Sequence, residues 1–155
     1  MAELFQALSG VPNLCQALPS VMTGGQPTAA HLTAAREAGL RVVLDIRDPM
    51  EPRPFDEPTL VANLGMTYVN IPVSSATMNH ETWDRIRESL QEHADENLLF
   101  HCNSGSRVGG VMIAHLVLDH GFTPDDAVNE AMRIGLRSPD LIEWSLDYVA
   151  RHQTP

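Results

Sequence analysis

Short apolar runs alternate with amphipathic stretches along most of this 155-residue chain, and the alternation restricts the fold more than any other feature. Runs rich in β-branched or large apolar residues occupy positions 40–46, 66–71 and 97–101, and their length is typical of strands. The first of these runs is apolar enough to be buried on both faces. Strands separated by helices form βαβ units, so we predict a three-layer α/β fold with a mainly parallel central sheet flanked by helices.

Helical segments are predicted between and after these strands. Thr28 and Thr123 are candidate N-caps, and the Gly109–Gly110 pair is expected to let one helix approach the sheet closely. The predicted helices follow Thr28 as far as Gly39 and then cover residues 59–64, 81–93, 111–120, 124–134 and 139–150. We expect residues 1–155 to form a single domain, with residues 1–20 as an N-terminal extension. Two loops, at 47–58 and 73–81, are expected to form the rim of any site.

The segment from Leu98 to Ile113 carries the most specific chemical signal. An apolar strand ends at Cys102, a loop of small residues follows, and Arg107 stands where an apolar helix begins. Backbone amides of such a loop and of the helix start can form an anion nest, and an arginine can bind two oxygens of a tetrahedral anion. The same positive field lowers the pKa of a thiol. We therefore predict an ionised Cys102 that is open to solvent and faces Arg107.

A thiolate beside a cradle for an oxyanion suggests nucleophilic attack on phosphorus or sulfur. The predicted substrate-binding residues are Asn103, Ser104, Gly105, Ser106 and Arg107. Glycine is expected in this loop because a nest needs backbone that no side chain obstructs.

Several motifs, in the same order along the chain, resemble the bacterial dual-specificity-phosphatase-like family, which includes the phosphatase-like domain of β-lactamase-hydrolase-like proteins. The matching segments are Gly-Gln-Pro at 25–27, the stretch at 38–47, Tyr-Val-Asn-Ile-Pro-Val at 68–73 and His-Cys-x-x-Gly-x-Arg at 101–107. The resemblance covers most of the chain. It implies a dual-specificity-phosphatase-like fold with Cys102 as the nucleophile, and with His101 in a supporting role that orients the loop and helps to set the acidity of the thiol.

Three departures separate the sequence from typical tyrosine and dual-specificity phosphatases. Only four residues, 103–106, lie between Cys102 and Arg107, a spacing that is similar to rhodanese sulfurtransferases. Val108 stands where those phosphatases usually carry a serine or threonine that helps the thiolate to leave. The loop after Val73 contains no aspartate, although related enzymes often place their proton donor there.

A phosphatase needs a group that protonates the leaving oxygen. Asp48 is the predicted donor because it lies just past a strand end, at the edge where a parallel sheet places its ligands. The other candidates are Asp45, Asp56, Glu57, His80 and Glu81. The alternative is a chain without a general acid, in which hydrolysis is slow.

The leading hypothesis is a cysteine-dependent phosphatase that acts on phosphorylated small molecules or peptides through a thiophosphoryl intermediate on Cys102. One alternative is a sulfurtransferase that carries a persulfide on the same cysteine, as the four-residue spacing suggests. Another is a non-catalytic module that binds an oxyanion or a phosphopeptide, which Val108 and the missing acid favour.

Composition excludes several other classes. Twenty acidic and ten basic residues give a formal net charge of −10, which disfavours nucleic acids and anionic membranes as partners. The chain has neither a signal-peptide pattern nor a run near the ~18 apolar residues of a membrane helix, so we expect a cytoplasmic protein.

Cys15 is expected to be an inert buried thiol. His115 and His120 are not expected to share a helix face, and neither a metal nor an organic cofactor is predicted.

Overall fold

The computed structural model describes residues 1–74 and 76–153, and a five-stranded sheet forms its centre. The strands are β1 (Cys15–Leu18), β2 (Val21–Gly24), β3 (Val42–Asp45), β4 (Thr67–Asn70) and β5 (Leu98–His101). Their order across the sheet is β1-β2-β5-β3-β4. Strand β1 pairs antiparallel with β2, whereas the other neighbouring pairs are parallel. The prediction of a mainly parallel sheet is confirmed.

Seven helices surround the sheet in the part of the chain that the structure describes. They are α1 (Ala2–Ala7), α2 (Ala29–Glu37), α3 (Glu57–Asn63), α4 (His80–Glu92), α5 (Ser106–His120), α6 (Pro124–Ile134) and α7 (Pro139–His152). Within residues 1–74 and 76–153, none of these helices combines the length and the apolar character that crossing a bilayer requires.

Alternate strand residues point into two separate cores, one on each face of the sheet. Val43 and Leu99 pack with Leu4, Leu32 and Val61 of helices α1, α2 and α3. The larger core, on the opposite face, contains strand residues and residues of helices α4 to α7: Val42, Leu44, Leu98, Phe100, Trp83, Ile113, Ala131 and Tyr148. Because side chains alternate between the faces of a strand, apolar residues at every position bury both faces. The three-layer α/β prediction is confirmed.

Side-chain caps fix where four of the helices begin. Each N-cap side chain accepts a hydrogen bond from the backbone N–H three positions later, which satisfies one of the free amides of the first turn. The four N-cap residues are Thr28, Asp56, Asn79 and Thr123. The cap at Asp56 explains why α3 begins two residues before the predicted position 59. Helix α5 also begins earlier than the predicted residue 111, because packing overrides the weak helix propensity of Gly109 and Gly110.

The Gly109–Gly110 pair faces other helices, and the expectation that it faces the sheet is wrong. A Cβ atom on Gly109 would lie 2.7 Å from the carbonyl oxygen of Ala131, and one on Gly110 would lie 2.8 Å from Cβ of Leu141. Both contacts are closer than real Cβ atoms tolerate. The two glycines therefore let α5 pack closely against α6 and the start of α7.

The first twenty residues hold more regular structure than the sequence predicts. Leu4 and Leu8, within and just after α1, have no exposed surface and pack against the sheet. Strand β1 forms an edge of the sheet, and Val21–Gly24 forms strand β2 beside it. Unlike β3 and β5, these two strands do not lie within a longer apolar run, so the sequence pattern does not reveal them.

Candidate active site

Four strands end at the same edge of the sheet, and their last residues pair in register. Gly24 of β2 and Asp45 of β3 both lie opposite His101 of β5, and Asp45 also lies opposite Asn70 of β4. Cys102 follows directly and donates its backbone N–H to the carbonyl oxygen of Gly24, at 3.2 Å. The loop that carries Cys102 thus starts at the carboxyl ends of the strands, where open parallel sheets place their ligands.

The loop between β5 and α5 wraps around the Cys102 sulfur. The backbone N–H of Gly105 donates to Sγ of Cys102 over 3.1 Å. Gly105 has a φ of 99°, a left-handed conformation that favours glycine, and it precedes the first turn of α5. Amides at a helix start carry partial positive charge, and the Cys102 sulfur lies against them.

Neighbouring segments hold this loop from outside. The Asn13 side chain donates to the carbonyl oxygen of Ser104 at 2.6 Å, and the Gln26 backbone N–H donates to that of Asn103 at 2.9 Å. A Cβ atom on Gly25 would lie only 2.4 Å from the same Asn103 oxygen. The Gly-Gln-Pro motif therefore packs directly beneath the cysteine loop, which explains why a glycine stands at its first position.

Arg107 binds a carboxylate rather than pointing freely into solvent. Its two terminal nitrogens donate to the two carboxylate oxygens of Glu51, both at 2.8 Å, and one of them also donates to the Val73 carbonyl oxygen at 3.2 Å. The pKa of Arg107 is raised, chiefly by its hydrogen bonds to Glu51 and also by the nearby Cys102 sulfur. The same hydrogen bonds lower the pKa of Glu51 from its ordinary 4.5 to about 2. Glu51 is not among the site residues that the sequence predicts, because no sequence pattern links it to Arg107.

Cys102 has no exposed surface in this structure, so the expectation that its sulfur is open to solvent is wrong. A cleft of about 340 Å³ lies next to Arg107. The cleft is lined by Glu51, Val73, Ser74, Met78, Ser106, Arg107, Ser138 and Leu141. Of the other predicted loop residues, Asn103 and Ser104 are exposed, whereas Gly105 is buried. Ser106 is half-buried and accepts a hydrogen bond from the backbone N–H of Arg137.

His101 forms a buried ion pair beneath the loop. Its Nε2 lies 2.6 Å from a carboxylate oxygen of Glu57, and its Nδ1 lies 3.1 Å from the carbonyl oxygen of Cys102. Both partners are acceptors, so both ring nitrogens carry a proton and the imidazole is charged. Burial lowers the pKa of His101, but the hydrogen bond and charge of Glu57, together with the charge of Asp45 and the hydrogen bond to Cys102, raise it above its ordinary value. His101 therefore anchors the first residue of the loop.

A polar cluster surrounds Asp45, next to His101. Asp45, Glu57 and His101 each place a possible ligand atom within 4.8 Å of the others, in the arrangement of a small metal site. Protein donors already occupy the carboxylate of Asp45: one oxygen accepts from Arg53 at 2.6 Å and from Tyr68 at 2.7 Å. The cluster is therefore a network of hydrogen bonds that supports the ends of the strands.

The proposed proton donors occupy different environments. Asp45 and Glu57 are fully buried in the support cluster, and Asp56 caps α3. Asp48 is half-buried in the loop after β3, and one of its carboxylate oxygens accepts the Met50 backbone N–H at 2.8 Å. Its own backbone N–H donates to Glu51 at 2.7 Å, which places Asp48 next to a residue that lines the cleft.

The expectation that His115 and His120 lie apart is wrong. Their Nε2 atoms are 3.0 Å apart, and Nδ1 of His115 lies 2.8 Å from the Asp119 carboxylate. His120 is the last residue of α5, where the chain turns at Gly121, so its ring folds back along the helix. One N–H···N hydrogen bond accounts for the contact between the two rings.

Comparison with known proteins identifies the fold but not a family. Neither a family model nor a curated protein matches the sequence. A DUF442 protein from Shewanella putrefaciens, described as a candidate phosphatase, superposes with a TM-score of 0.82 at 21% identity, covering 97% of this chain and 99% of that one. The S. cerevisiae PP-IP phosphatase SIW14, as its core catalytic domain with citrate, gives 0.74 at 16% identity, covering 89% and 86%.

A third structure, a variant of P. aeruginosa TpbA in complex with phosphotyrosine, gives a TM-score of 0.69 at 15% identity and covers 88% of this chain and 82% of that one. These likenesses cover between 88% and 97% of this chain. The protein therefore has a dual-specificity-phosphatase-like α/β fold.

Proposed function

We propose that the protein is a cysteine-dependent phosphatase of the bacterial dual-specificity-phosphatase-like family, and that it hydrolyses phosphate monoesters. The observation that carries the proposal is the hydrogen bond from the Gly105 amide to the Cys102 sulfur at the start of α5. A donor aimed at a sulfur, beside a guanidinium, is the arrangement that a thiolate nucleophile and a phosphoryl oxygen both need.

The reaction takes two steps. The Cys102 sulfur attacks phosphorus, so that an S–P bond forms while the P–O bond to the leaving group breaks. Asp48 gives its proton to the departing oxygen. In the second step Asp48 takes a proton from water, the resulting hydroxide attacks phosphorus, and the S–P bond breaks to release inorganic phosphate and the thiolate. Arg107 and the amides of residues 103–107 bind the equatorial oxygens throughout.

Burial of the sulfur sets a condition on this reaction. Cys102 has no exposed surface, and Arg107 is held by Glu51 at the edge of the cleft. An incoming phosphoryl group must therefore draw Arg107 away from Glu51 before the sulfur can reach phosphorus. The resting structure is a closed state of the proposed site, and turnover requires its opening.

The proposed ligands are phosphate or another tetrahedral oxyanion, carried on a small molecule or a peptide. Two proteins with the same fold support this: the TpbA variant is in complex with phosphotyrosine, and the SIW14 catalytic domain is in complex with citrate. Both ligands are anions with paired oxygens that an arginine can bind in a bidentate manner.

Two other functions make different predictions. The four-residue spacing between Cys102 and Arg107 favours a sulfurtransferase, which would form thiocyanate from thiosulfate and cyanide. Burial of both Cys102 and Val108 favours a module that binds an oxyanion without turning it over. In that case anion binding would persist after replacement of Cys102 by serine.

One parallel assay separates these functions. Phosphate release from aryl and peptide phosphates, and thiocyanate release from thiosulfate, are measured for the wild type, Cys102→Ser and Cys15→Ser. The phosphatase proposal predicts phosphate release that Cys102→Ser abolishes and Cys15→Ser preserves, because Cys15 lies in the edge strand β1, where Arg133 rather than Arg107 donates to its sulfur. Thiocyanate without phosphate would establish the sulfurtransferase, and binding without either product would establish the module.

Asp48 is tested by the dependence of the rate on the leaving group. A proton donor matters most for poor leaving groups. We therefore expect Asp48→Asn to slow the hydrolysis of alkyl phosphates by about 100-fold or more, and that of activated aryl phosphates far less. Equal losses for both substrates would show that Asp48 is not the donor.

A further inference from the structure

Glu51 occupies the position that a substrate anion would take on Arg107. Its two carboxylate oxygens each accept one terminal N–H of the guanidinium at 2.8 Å, which is the geometry with which arginine binds two oxygens of a phosphoryl group. Glu51 also lines the cleft beside Arg107. The carboxylate therefore blocks the same donors that the proposed reaction needs.

Stability of the fold does not explain this contact. Glu51 lies in the loop between β3 and α3, and its side chain keeps 30% of its surface exposed, while that of Arg107 keeps 24%. Solvent reaches both side chains and weakens their attraction, so the pair contributes less to the stability of the fold than a buried pair would. A bidentate pair at the mouth of the cleft is better explained by what it does to Arg107.

Glu51 also contacts groups other than Arg107. The Asp48 backbone N–H donates to Glu51 at 2.7 Å, and Nε of Arg47 lies 3.5 Å from it. Arg47 is itself held by the Gln26 side chain at 2.6 Å and by the Pro52 carbonyl oxygen at 2.8 Å. Release of Arg107 therefore leaves neither Glu51 nor Arg47 without a partner, so the exchange costs little outside the site.

We propose that Glu51 is an internal carboxylate latch, which closes the anion site of the resting protein and makes it selective for doubly charged tetrahedral oxyanions. The proposal rests on the anion site of the proposed function. A ligand must outcompete a tethered carboxylate, whose effective concentration is high because it is part of the chain. A phosphoryl dianion brings two negative charges and three oxygens, whereas a monoanion such as acetate or nitrate offers no advantage over Glu51.

The latch is tested by anion binding to Glu51→Gln, which keeps the size of the side chain but removes its charge. Affinities for inorganic phosphate, vanadate and acetate are measured by calorimetry, together with the rate at which iodoacetamide alkylates Cys102. Because the competent fraction of sites limits apparent affinity, Glu51→Gln is expected to bind phosphate about 10-fold more tightly than the wild type. Without anion its Cys102 should be alkylated faster, and acetate should now bind.

Two further variants serve as controls. Glu130→Gln removes an acidic partner of a different arginine, Arg133, and is expected to bind phosphate as the wild type does. Glu51→Asp keeps the charge but shortens its reach, so its phosphate affinity should lie between those of the wild type and Glu51→Gln. Thermal unfolding of each variant shows that the fold is retained.

The outcomes separate the latch from the phosphatase. Phosphate affinity that is unchanged or weaker in Glu51→Gln overturns the latch, and Glu51 is then a positioning residue for Arg107. Tighter binding in Glu51→Gln without phosphate release from any ester keeps the latch and overturns the phosphatase. Failure of phosphate to bind either the wild type or Glu51→Gln overturns both.

Discussion

The buried ion pair beneath the cysteine loop gives the sharpest test of how the site is supported. Replacement of Glu57 by alanine removes two short contacts of a fully buried carboxylate, one with His101 and one with the Gln26 side chain, both at 2.6 Å. A hydrogen bond to a charged group contributes about 1.5–3 kcal/mol, and breaking a buried pair costs about 3–5 kcal/mol. We therefore expect Glu57→Ala to lower the free energy of unfolding by about 3–5 kcal/mol.

Urea unfolding at neutral pH, followed by the fluorescence of the buried Trp83, measures this loss. With a slope of about 2 kcal/mol per molar urea, the midpoint should fall by roughly 1.5–2.5 M. Glu88→Ala, at an exposed position of α4, should change the free energy by less than about 0.5 kcal/mol. A loss below about 1 kcal/mol in Glu57→Ala would refute the assignment of a charged, buried pair.

The same pair makes the stability of the fold depend on pH. The pKa of His101 is raised in the folded protein, so the folded state binds a proton that the unfolded state releases near its ordinary pKa of about 6.5. The stabilisation is complete below about pH 6.5 and is lost as the pH rises towards the folded-state pKa, by up to about 1.4 kcal/mol per pH unit. In Glu57→Gln this dependence should weaken, because the histidine loses the nearest of the negative charges that hold its proton. An unchanged pH slope in Glu57→Gln would contradict the assignment.

Three other substitutions test packing, capping and anion binding. Gly109→Ala should destabilise the fold by about 1–3 kcal/mol, because the new Cβ meets the carbonyl oxygen of Ala131 at 2.7 Å; stabilisation on urea unfolding would contradict this. Thr123→Ala should cost about 1 kcal/mol by removing the hydrogen bond to the Asp126 backbone N–H, and a calorimetric Tm equal to that of the wild type would show that the cap is dispensable. Arg107→Lys should slow phosphate release by about 100-fold or more, since lysine cannot bind two oxygens in a bidentate manner; a near-normal kcat/KM would count against Arg107.

The sequence predicts those parts of the molecule in which neighbouring residues determine structure. The apolar run of β5, the small residues after Cys102 and the apolar stretch of α5 form one continuous signal of strand, loop and helix, and the structure has these elements in that order. The alternation of strands and helices predicts the parallel sheet, because each crossover needs a helix to cover it. Thr28 and Thr123 predict helix starts through local caps.

The features that the sequence could not predict depend on contacts between distant segments. Glu51 and Arg107 are 56 residues apart, and Glu57 and His101 are 44 apart, so no local pattern brings either pair together. Each pair forms because the loop after β3 and the end of β5 meet at one edge of the sheet. The burial of Cys102 has the same origin, since it follows from how several segments cover one loop.

The position of β5 between β2 and β3 has a consequence for synthesis of the chain. Residues 21–24 and 42–45 leave the ribosome well before residues 98–101, yet they become neighbours in the sheet only through that later strand. A nascent chain that stops short of residue 98 therefore presents two unpaired strand edges, which are templates for aggregation. Insertion of the central strand joins the two halves, and in the same event it brings the cysteine to its place, so a truncated product can have neither the complete sheet nor the site.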